Sequence, residues 1–319
     1  MSKGPVTGVS GYSFSPADLN LAERREGLSA FMRIKNGAEF LEATVRSHIH
    51  HFDEVVAVYN GCTDATEDIL IALRAEYGPR LRLFHYRDRV FPPGSEGHKK
   101  TPADDPSSIV NYSNFALAQT RYRTVTKLDD DHLAIEEPLR ALVSSIRAGD
   151  QSASELWAFS GLNLAPSKEL EGAVEVLQSP AISGKGDIGF FEVNERSYFR
   201  FDPRFERFEK REYRRVFKGF TYWHLKSLKD GMGFANYELE DNPNSRFARK
   251  QEAMRHYKTV ALADLKANPS LPWSRRLAAL VSDKARIATA QAAALQRGEP
   301  SETIEEALQR LSALTVLPR

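Results

Sequence analysis

Three short apolar runs decide the fold of this chain: LSAFMRI at residues 28–34, EVVAVY at 54–59 and LRLFHY at 81–86. Each run has the length and composition of a buried β-strand. Between the runs, apolar residues recur at a helical period over 38–52 and 66–77. Consecutive strands separated by helices need crossover connections, so the sequence predicts an α/β fold with a parallel sheet.

The segments further along the chain are predicted in the same way. Residues 87–110 are rich in Pro and Gly, and a loop of this length is functional or disordered. A helix is predicted over 111–120, followed by strands at 123–128, 155–160 and 189–193. Beyond residue 246 the chain is predicted to be helical, over 247–266, 273–297 and 302–314.

These patterns predict three parts of the chain. Residues 1–26 are polar and rich in Gly, Ser and Pro, and we expect a flexible N-terminal leader. Residues 27–245 hold the strand and helix patterns of one α/β domain. Residues 246–319 form a helical C-terminal extension in this prediction.

The composition excludes several classes of protein. Lys and Arg number 44 and Asp and Glu 43 among 319 residues, a formal charge of +1, so we expect no nucleic-acid partner. The single cysteine cannot form an internal disulfide and fits a reducing compartment. There is no signal-type apolar core and no run of 18 apolar residues. We therefore expect a cytoplasmic protein; the oligomeric state stays open.

The strongest chemical motif is TVTKLDDDH at residues 124–132. A buried strand delivers carboxylates at its C-terminal end, where ligands of open α/β sheets bind. Asp129 and Asp131, two residues apart, can hold a divalent cation, and hard oxygen ligands suit Mg²⁺ or Mn²⁺. The alternative is a solvated acidic loop, because such short motifs are common.

The order of motifs around this triplet resembles the family 2 glycosyltransferases and their GT-A fold. The matching positions are Arg33 and Asn36 after the first strand, Asn60, Gly61, Thr63, Asp64 and Thr66 after the second, Asn114 and Ala118 in the next helix, and Asp129 and Asp131. The resemblance covers residues 28–132 well and 155–225 loosely. It implies a GT-A-like, mainly parallel Rossmann-type sheet flanked by helices.

The resemblance also implies a nucleotide-sugar donor. Residues 27–132 would be the donor-nucleotide half and residues 133–245 the acceptor half of the domain. Asp131 would bind the metal directly, and Asp129 would face the ribose or bridge to the metal. The other implied donor-binding residues are Arg33, Asn36, Asn60, Asp64, Asn114 and Asp130.

A late histidine is the third implied metal ligand. The segment Tyr222–Lys226 resembles the GT-A segment in which a histidine completes the metal shell or meets the diphosphate. Imidazole is a competent ligand for Mn²⁺, so His224 joins Asp131 and Asp129 in the predicted site. The alternative is a half-buried histidine between aromatic neighbours.

The general base is predicted among two glutamates. The stretch FDPRF at 201–205 resembles the family segment that precedes the acidic residue which deprotonates the acceptor. Glu206 and Glu209 are the carboxylates that follow it, and the sequence does not choose between them. Both could instead be surface partners of neighbouring arginines.

Two positions depart from the family pattern. Tyr59 stands where the family usually has Asp, and Gly37 stands where it usually has Glu. Tyr59 would either stack on a base or fill the core. Both acidic groups normally hold the base or ribose, so the resemblance supports a nucleotide sugar rather than a UDP sugar in particular.

Residues 196–218 carry nine basic and four acidic side chains with aromatic residues between them. This pattern fits a phosphorylated acceptor such as a lipid-linked glycan, or peripheral contact with anionic membrane at its inner face. The alternative is a solvated charged helix with a buried aromatic side.

Together these observations predict a metal-dependent glycosyltransferase that moves a sugar to a hydroxyl of a surface glycan, such as lipopolysaccharide or capsule. Inversion at the anomeric centre is implied by the family alone. Two alternatives stay open. One is a non-catalytic glycan-binding or scaffold protein that kept the fold. The other is a sugar-phosphate nucleotidyltransferase, although Lys35–Ala38 is poor in glycine for its phosphate loop.

Overall fold

The computed structural model describes residues 6–184, 186, 189–240, 243, 245–267, 278, 279 and 282–318. It is a mixed α/β structure in which helices flank a sheet of 12 strands. Within these residues, no helix combines the length and the apolar character needed to cross a membrane.

The strands of the described residues are β1 (Thr7–Val9), β2 (Arg25–Ile34), β3 (Glu54–Tyr59), β4 (Leu81–Tyr86), β5 (Tyr122–Lys127), β6 (His132–Ala134), β7 (Glu155–Pro166), β8 (Val174–Leu177), β9 (Ile182–Ser183), β10 (Gly189–Glu192), β11 (Phe199–Asp202), β12 (Phe205–Phe208), β13 (Arg214–His224) and β14 (Thr259–Val260). The helices are α1 (Leu41–His48), α2 (Thr66–Tyr77), α3 (Glu96–Lys100), α4 (Ile109–Ala118), α5 (Glu136–Arg147), α6 (Arg246–Arg255), α7 (Leu262–Ala267), α8 (Asp283–Gln296) and α9 (Ile304–Leu314).

The first half of the sheet is parallel, in the order β1-β4-β3-β2-β5. All six residues of β3 are buried, as expected for a strand with helices over both faces. Leu41 of α1 and Leu70 of α2 pack in one core cluster, while Phe115 of α4 packs in a second. The C-terminal ends of β2, β3 and β5 therefore meet at one edge of the sheet.

The second half of the sheet is mixed. β10 pairs antiparallel with both β5 and β7, β13 runs parallel to β7, and β6 runs antiparallel to β13. The pairing places Asn163, His224 and His132 side by side across β7, β13 and β6. One turn separates β6 from the end of β5, so this row lies next to the acidic triplet.

The predicted fold class is confirmed: the protein is α/β, with a large, mainly parallel central sheet flanked by helices. β3, α2 and β4 have the predicted bounds, and β2 begins three residues earlier than predicted. These elements were predictable because their apolar patterns are short-range and uninterrupted.

The N-terminal stretch differs from the flexible leader that its composition predicts. β1 pairs in parallel with β4 and extends the edge of the sheet. Leu19 is fully buried, and the buried Arg24 donates to the Leu19 carbonyl at 2.8 Å and the Tyr122 carbonyl at 2.7 Å. Backbone pairing and one buried arginine hold residues 6–26 on the domain. Neither contact requires a run of apolar residues, so the sequence pattern did not predict them.

The basic aromatic segment is not the charged helix considered as one alternative. β11 and β12 form an antiparallel hairpin, in which Phe199 pairs with Phe208 and Phe201 with Glu206. The alternating pattern of FRFD and FERF has the two-residue period of strands. The Pro- and Gly-rich loop before α4 packs on this hairpin, where His98 Nε2 lies 2.8 Å from the Asp202 carbonyl oxygen.

The C-terminal helices differ from prediction in two places. The helix expected over 247–266 is divided, because β14 pairs with β8 between α6 and α7. The helix expected over 273–297 is described from Asp283 to Gln296 as α8; Trp273, Leu277 and Leu280 lie outside the described residues. The helix predicted over 302–314 is confirmed as α9, whose Thr303 forms a capping box with Glu306.

Candidate active site

A cavity of about 600 Å³ opens at the C-terminal ends of β2, β3 and β5. β12, the end of β13, the turns after it and the start of α6 complete its wall. The titratable or cationic residues that line it are Arg33, Lys35, Tyr112, Lys127, Asp129, Asp130, Asp131, Glu206, Arg207, Lys210, His224, Lys226, Lys229, Tyr237, Arg246 and Lys250. The acidic triplet thus lies where the parallel topology predicts a ligand.

Two lysines neutralise the triplet. Lys127 Nζ lies 2.7 Å from Asp129 Oδ1, and Lys229 Nζ lies 3.0 Å from Asp130 Oδ2 and 3.1 Å from Asp131 Oδ2. Burial raises the pKa of Asp130 to about 6. Burial also opposes ionisation of Asp131, but Lys229 and His224 outweigh it and hold the pKa of that carboxyl well below its usual range.

Gly37 makes room for the middle carboxylate. A Cβ at this position would lie 2.3 Å from Asp130 Oδ2, so any side chain would displace the Asp130 carboxylate. Gly37, one of the two departures from the family pattern, therefore leaves the space that the Asp130 carboxylate occupies. The other departure, Tyr59, fills the core: it stacks on His85 at 4.6 Å and donates to Glu67 at 2.7 Å.

Asp131, His132 and His224 form a group that could hold a metal ion, because one ligand atom from each lies within 4.8 Å of the others. His224 Nε2 lies 3.3 Å from Asp131 Oδ1. The opposite ring nitrogen of His224 donates to Asn163 Oδ1 at 2.5 Å, and Asn163 Nδ2 donates to the Pro180 carbonyl at 2.8 Å. In the neutral ring this chain of bonds keeps the proton on Nδ1, which makes Nε2 the nitrogen that could bind a metal.

His132 was missed by the sequence reasoning. Its side chain is 1% exposed, and both its Nε2 and Asp131 Oδ1 are buried without a hydrogen-bond partner. Burial lowers the pKa of His132 to about 3, so the ring is neutral at physiological pH. Buried polar atoms are rarely left unpaired, and two such atoms facing His224 fit a divalent cation.

Asp129, the other predicted metal ligand, is not part of this group. Burial opposes its ionisation, but Lys127 holds the pKa of Asp129 below its usual range. Its carboxylate is one-third exposed to the cavity, a position from which it could accept a hydroxyl hydrogen bond.

An ion pair between Arg33 and Glu206 links the end of β2 to β12. Arg33 Nη2 lies 2.6 Å from Glu206 Oε1, and the guanidinium also donates to Ser113 Oγ. Glu206 lines the cavity. Glu209, the other predicted base, does not line it; it is buried, caps a short turn and lies 3.4 Å from Arg200 Nε.

The predicted nucleotide-binding side chains divide into two groups. Asn60 lines the cavity and donates to the carbonyls of Tyr86 and Asp88 at 2.7 and 2.6 Å. Asn36, in a left-handed conformation, accepts from the Thr63 backbone at 2.7 Å and donates to Asn236, which lines the cavity.

Asp64 and Asn114 do not line the cavity and bind backbone groups instead. Asp64 accepts from the backbone of Ala38 and Thr66, both at 3.0 Å, and so ties the turn before α1 to the start of α2. Asn114 donates to the Phe199 carbonyl at 3.0 Å and accepts from the Phe199 amide at 2.7 Å. These two side chains position the cavity walls.

The turns that follow β13 were also missed. Lys226 lies over the rings of Phe234 and Tyr237, at 5.2 and 4.8 Å, and Lys229 reaches the triplet from the same segment. Three consecutive 3₁₀ turns build this segment. Such turns have no periodic signal, so the sequence offered no means of placing these lysines.

Comparisons with known proteins give a distant likeness. No family model and no curated protein matches the chain. Among solved structures, it is similar to glucosyl-3-phosphoglycerate synthase from Mycobacterium tuberculosis in complex with Mg²⁺ and UDP, at 16% identity and a TM-score of 0.29, over 50% of each chain. A structure of that enzyme with Mn²⁺, UDP-glucose and phosphoglyceric acid gives 15% identity and a TM-score of 0.29, over 52% of this chain and 54% of that one.

A mycobacterial protein gives 16% identity and a TM-score of 0.29, over 49% of this chain and 47% of that one. The chain thus spans about half the length of the structures it matches. At this level of similarity, the activity of this chain has to rest on its own residues.

Proposed function

We propose that this protein is a glycosyltransferase that moves a sugar from a nucleotide-sugar donor to a hydroxyl acceptor. The observation that carries the proposal is the meeting of Asp131, His132 and His224, of which Asp131 and His224 line a cavity of about 600 Å³. That volume is in the range of sites that enclose small organic ligands. The motif order that resembles the family 2 glycosyltransferases supports the same activity.

The donor half of the proposed domain is residues 27–132. A divalent cation, Mg²⁺ or Mn²⁺, held by Asp131, His224 and His132 would neutralise the charge of the donor diphosphate. In this arrangement Asp129 accepts a hydrogen bond from a ribose hydroxyl. Asn60 and Arg33 would line the nucleoside side of the cavity. Lys226 and Lys229 add positive charge beside the leaving diphosphate.

The acceptor half is residues 133–245, and Glu206 is the proposed general base. Of the two glutamates predicted for this role, Glu206 lines the cavity and Glu209 does not. A base must come within hydrogen-bond reach of the acceptor hydroxyl, so its access to the cavity favours Glu206. Asp130 also lines the cavity, and comparison of Glu206→Gln with Asp130→Asn distinguishes the two carboxylates.

The finer features of the proposal come from the sequence. They are a surface-glycan or lipid-linked acceptor, inversion at the anomeric centre, a cytoplasmic location with peripheral membrane contact, and a helical extension from residue 246. The product anomer, determined by NMR with the purified enzyme, tests inversion directly.

The alternatives make different predictions for the same residues. A scaffold that kept the fold has no use for a metal, yet Asp131 Oδ1 and His132 Nε2 are buried without a hydrogen-bond partner. Unpartnered buried atoms reduce stability unless a ligand satisfies them. A nucleotidyltransferase would bind a nucleoside triphosphate and release diphosphate from it, which a diphosphate assay with a sugar phosphate detects.

The test is thermal stabilisation by UDP, GDP, CMP and dTDP, each with and without Mn²⁺. A ligand at 100 times its dissociation constant adds about 2.7 kcal/mol to the free energy of unfolding, which shifts the melting temperature clearly. We expect one nucleotide to stabilise the protein only with metal, and Asp131→Asn to lose the effect. Asp68→Asn, an exposed change on α2, is the matched control. Absence of stabilisation by every nucleotide in the wild type would favour the scaffold.

A further inference from the structure

One group of residues in the cavity lining has no part in the proposed donor site. This group, called the basic end, consists of Arg207 on β12, Lys210 two residues after β12, and Arg246 and Lys250 on α6. Residues four apart on a helix share a face, so Arg246 and Lys250 present their charges together.

The charge balance of the cavity is strongly positive. Among the described residues that line it, nine are Lys or Arg and four are Asp or Glu: Arg33, Lys35, Lys127, Arg207, Lys210, Lys226, Lys229, Arg246 and Lys250 against Asp129, Asp130, Asp131 and Glu206. The four carboxylates are already paired with Lys127, Lys229 and Arg33. Within the described part of the chain, no carboxylate lies at salt-bridge distance from Arg207 or Arg246, and Asp202 is the carboxyl whose pKa Arg207 helps to lower. The cavity therefore attracts an anion at its basic end in addition to the donor.

Aromatic side chains hold the basic end in shape. The Arg246 guanidinium lies over the Phe205 ring at 5.5 Å, and the Tyr237 and Phe247 rings stack at 4.2 Å. Phe208 and Pro92 also line this wall. A ligand bound here meets cations for its charge and aromatic faces for its carbon skeleton.

The basic end lies beside the proposed base. Glu206 is flanked in β12 by Phe205 and Arg207, and its carboxylate is held by Arg33 at the end of β2. A molecule anchored at Arg207 and Arg246 would therefore lie next to Glu206. A position beside the proposed base suits an acceptor, whose hydroxyl has to come within reach of that base.

We propose that the basic end binds a phosphate group of the acceptor, so that the enzyme glycosylates a phosphorylated substrate. The proposal rests on the proposed function, because it identifies the acceptor of that reaction. Guanidinium groups match phosphate oxygens with paired hydrogen bonds, and nearby ammonium groups add charge. A neutral glycan would offer no negative charge to Arg207 and Arg246 when it displaced water from the cavity.

The test is a titration with glycerol 3-phosphate at constant ionic strength, monitored by calorimetry, with glycerol as the neutral comparison. We expect glycerol 3-phosphate to bind and glycerol not to bind. The double variant Arg246→Gln/Lys250→Gln should weaken phosphate binding about tenfold or more, the size expected from lost charge-assisted hydrogen bonds. Arg249→Gln, a change of one charge on α6 outside the cavity lining, should stay within about twofold of wild type.

A second arm identifies the source of the phosphate. Binding to phosphatidylglycerol vesicles is compared with binding to phosphatidylcholine vesicles, for wild type and the same variants. The proposal is supported if the double variant loses binding to glycerol 3-phosphate or to phosphatidylglycerol vesicles while Arg249→Gln binds as the wild type does. Which of the two ligands binds shows whether the phosphate is soluble or lipid-borne. Failure of both sources to bind the wild type, or equal loss in Arg249→Gln, overturns it. Arg246 and Lys250 are exposed, so the variants keep the packing of the fold.

Nucleotide binding separates this proposal from the proposed function. We expect the double variant to bind the metal-dependent nucleotide as the wild type does. Equal loss of nucleotide and glycerol 3-phosphate would show that the basic end holds the donor diphosphate, and would overturn the acceptor assignment. If glycerol 3-phosphate binds and no nucleotide does, the proposed function fails and the anion site remains.

Discussion

The two halves of the sheet contribute residues to the candidate site in different ways. The parallel half, β1 to β5, supplies the acidic triplet from the end of one strand. The mixed half supplies His224 and Asn163, and the separate β11–β12 hairpin supplies Glu206, all from segments far apart in the chain. The first contribution is local and could be predicted from a motif, whereas the second depends on strand register.

The largest effect is expected where the two halves meet. Asp131→Asn removes a ligand from the parallel half and His224→Ala one from the mixed half. We expect each to lower metal-dependent nucleotide affinity about 100-fold or more, because an incomplete metal site leaves the diphosphate charge without its counter-ion. Isothermal calorimetry with Mn²⁺ and the stabilising nucleotide measures this change.

Asp68→Asn is the control for the charge change, and circular dichroism checks that both variants remain folded. If the His224 variant kept wild-type affinity, the mixed half would contribute shape and no ligand. The comparison between the halves would then fail at its central point.

The sequence predicts much of the first half and little of the second for a physical reason. β3, α2 and β4 were predictable because each has a continuous apolar pattern of its own. His132 follows the triplet directly, yet its role appears only when the pairing of β6 with β13 sets it opposite His224. Register between distant strands has no local signature.

The same reasoning explains two other outcomes. Lys229 neutralises Asp130 from a segment of 3₁₀ turns, a structure without periodicity. Asp64 and Asn114 matched a motif, but the structure shows them bound to backbone groups. A motif indicates that a residue has a role in the site. Whether its side chain contacts the ligand or the protein backbone depends on the segments that pack around it.

Gly37→Ala tests the contact between the triplet and the turn after β2. The new Cβ would lie 2.3 Å from Asp130 Oδ2 and push the carboxylate away from Lys229. We expect a loss of about 1–3 kcal/mol in the free energy of unfolding, the usual result of overpacking a filled site. Urea denaturation measures it.

Asp130→Ala provides the matched comparison, because it removes the side chain that the new Cβ would strike. In the double variant Gly37→Ala/Asp130→Ala, the Gly37 substitution should cost much less than it does alone, since residues in contact are not additive. Additive losses would contradict a direct contact.

A smaller effect is expected for Asn163, which orients His224 from the next strand. Asn163→Ala leaves the ring without its acceptor, and we expect Mn²⁺ affinity to fall about 10- to 100-fold, as when other residues that orient metal ligands are removed. Asn163→Asp keeps an acceptor at this position and should retain most of the affinity. Equal loss in both variants would indicate a packing defect, with no specific orientation of His224.

The last prediction concerns His48 on α1, a buried residue that does not line the cavity. Its ring donates from Nδ1 to the Thr44 carbonyl at 2.8 Å, and burial lowers its pKa to about 3. His132, His51 and Arg310 act in the same direction. Below the unfolded-state pKa of about 6.5, the unfolded chain takes up a proton that the folded chain refuses. Stability is therefore lost as the pH falls from about 6.5 towards 3, by about 1.4 kcal/mol per pH unit for this histidine.

His48→Asn keeps a donor for the Thr44 carbonyl and removes the titration. We expect its stability to fall less steeply between pH 6 and pH 4 than that of the wild type, by about 1.4 kcal/mol per pH unit. Urea denaturation in the presence of a chelator measures both slopes without bound metal. His50→Asn is the control, because His50 is exposed and lies edge-on to Tyr77. Parallel slopes in wild type and His48→Asn would show that the buried ring is protonated in the folded protein, and that other groups cause the acid sensitivity.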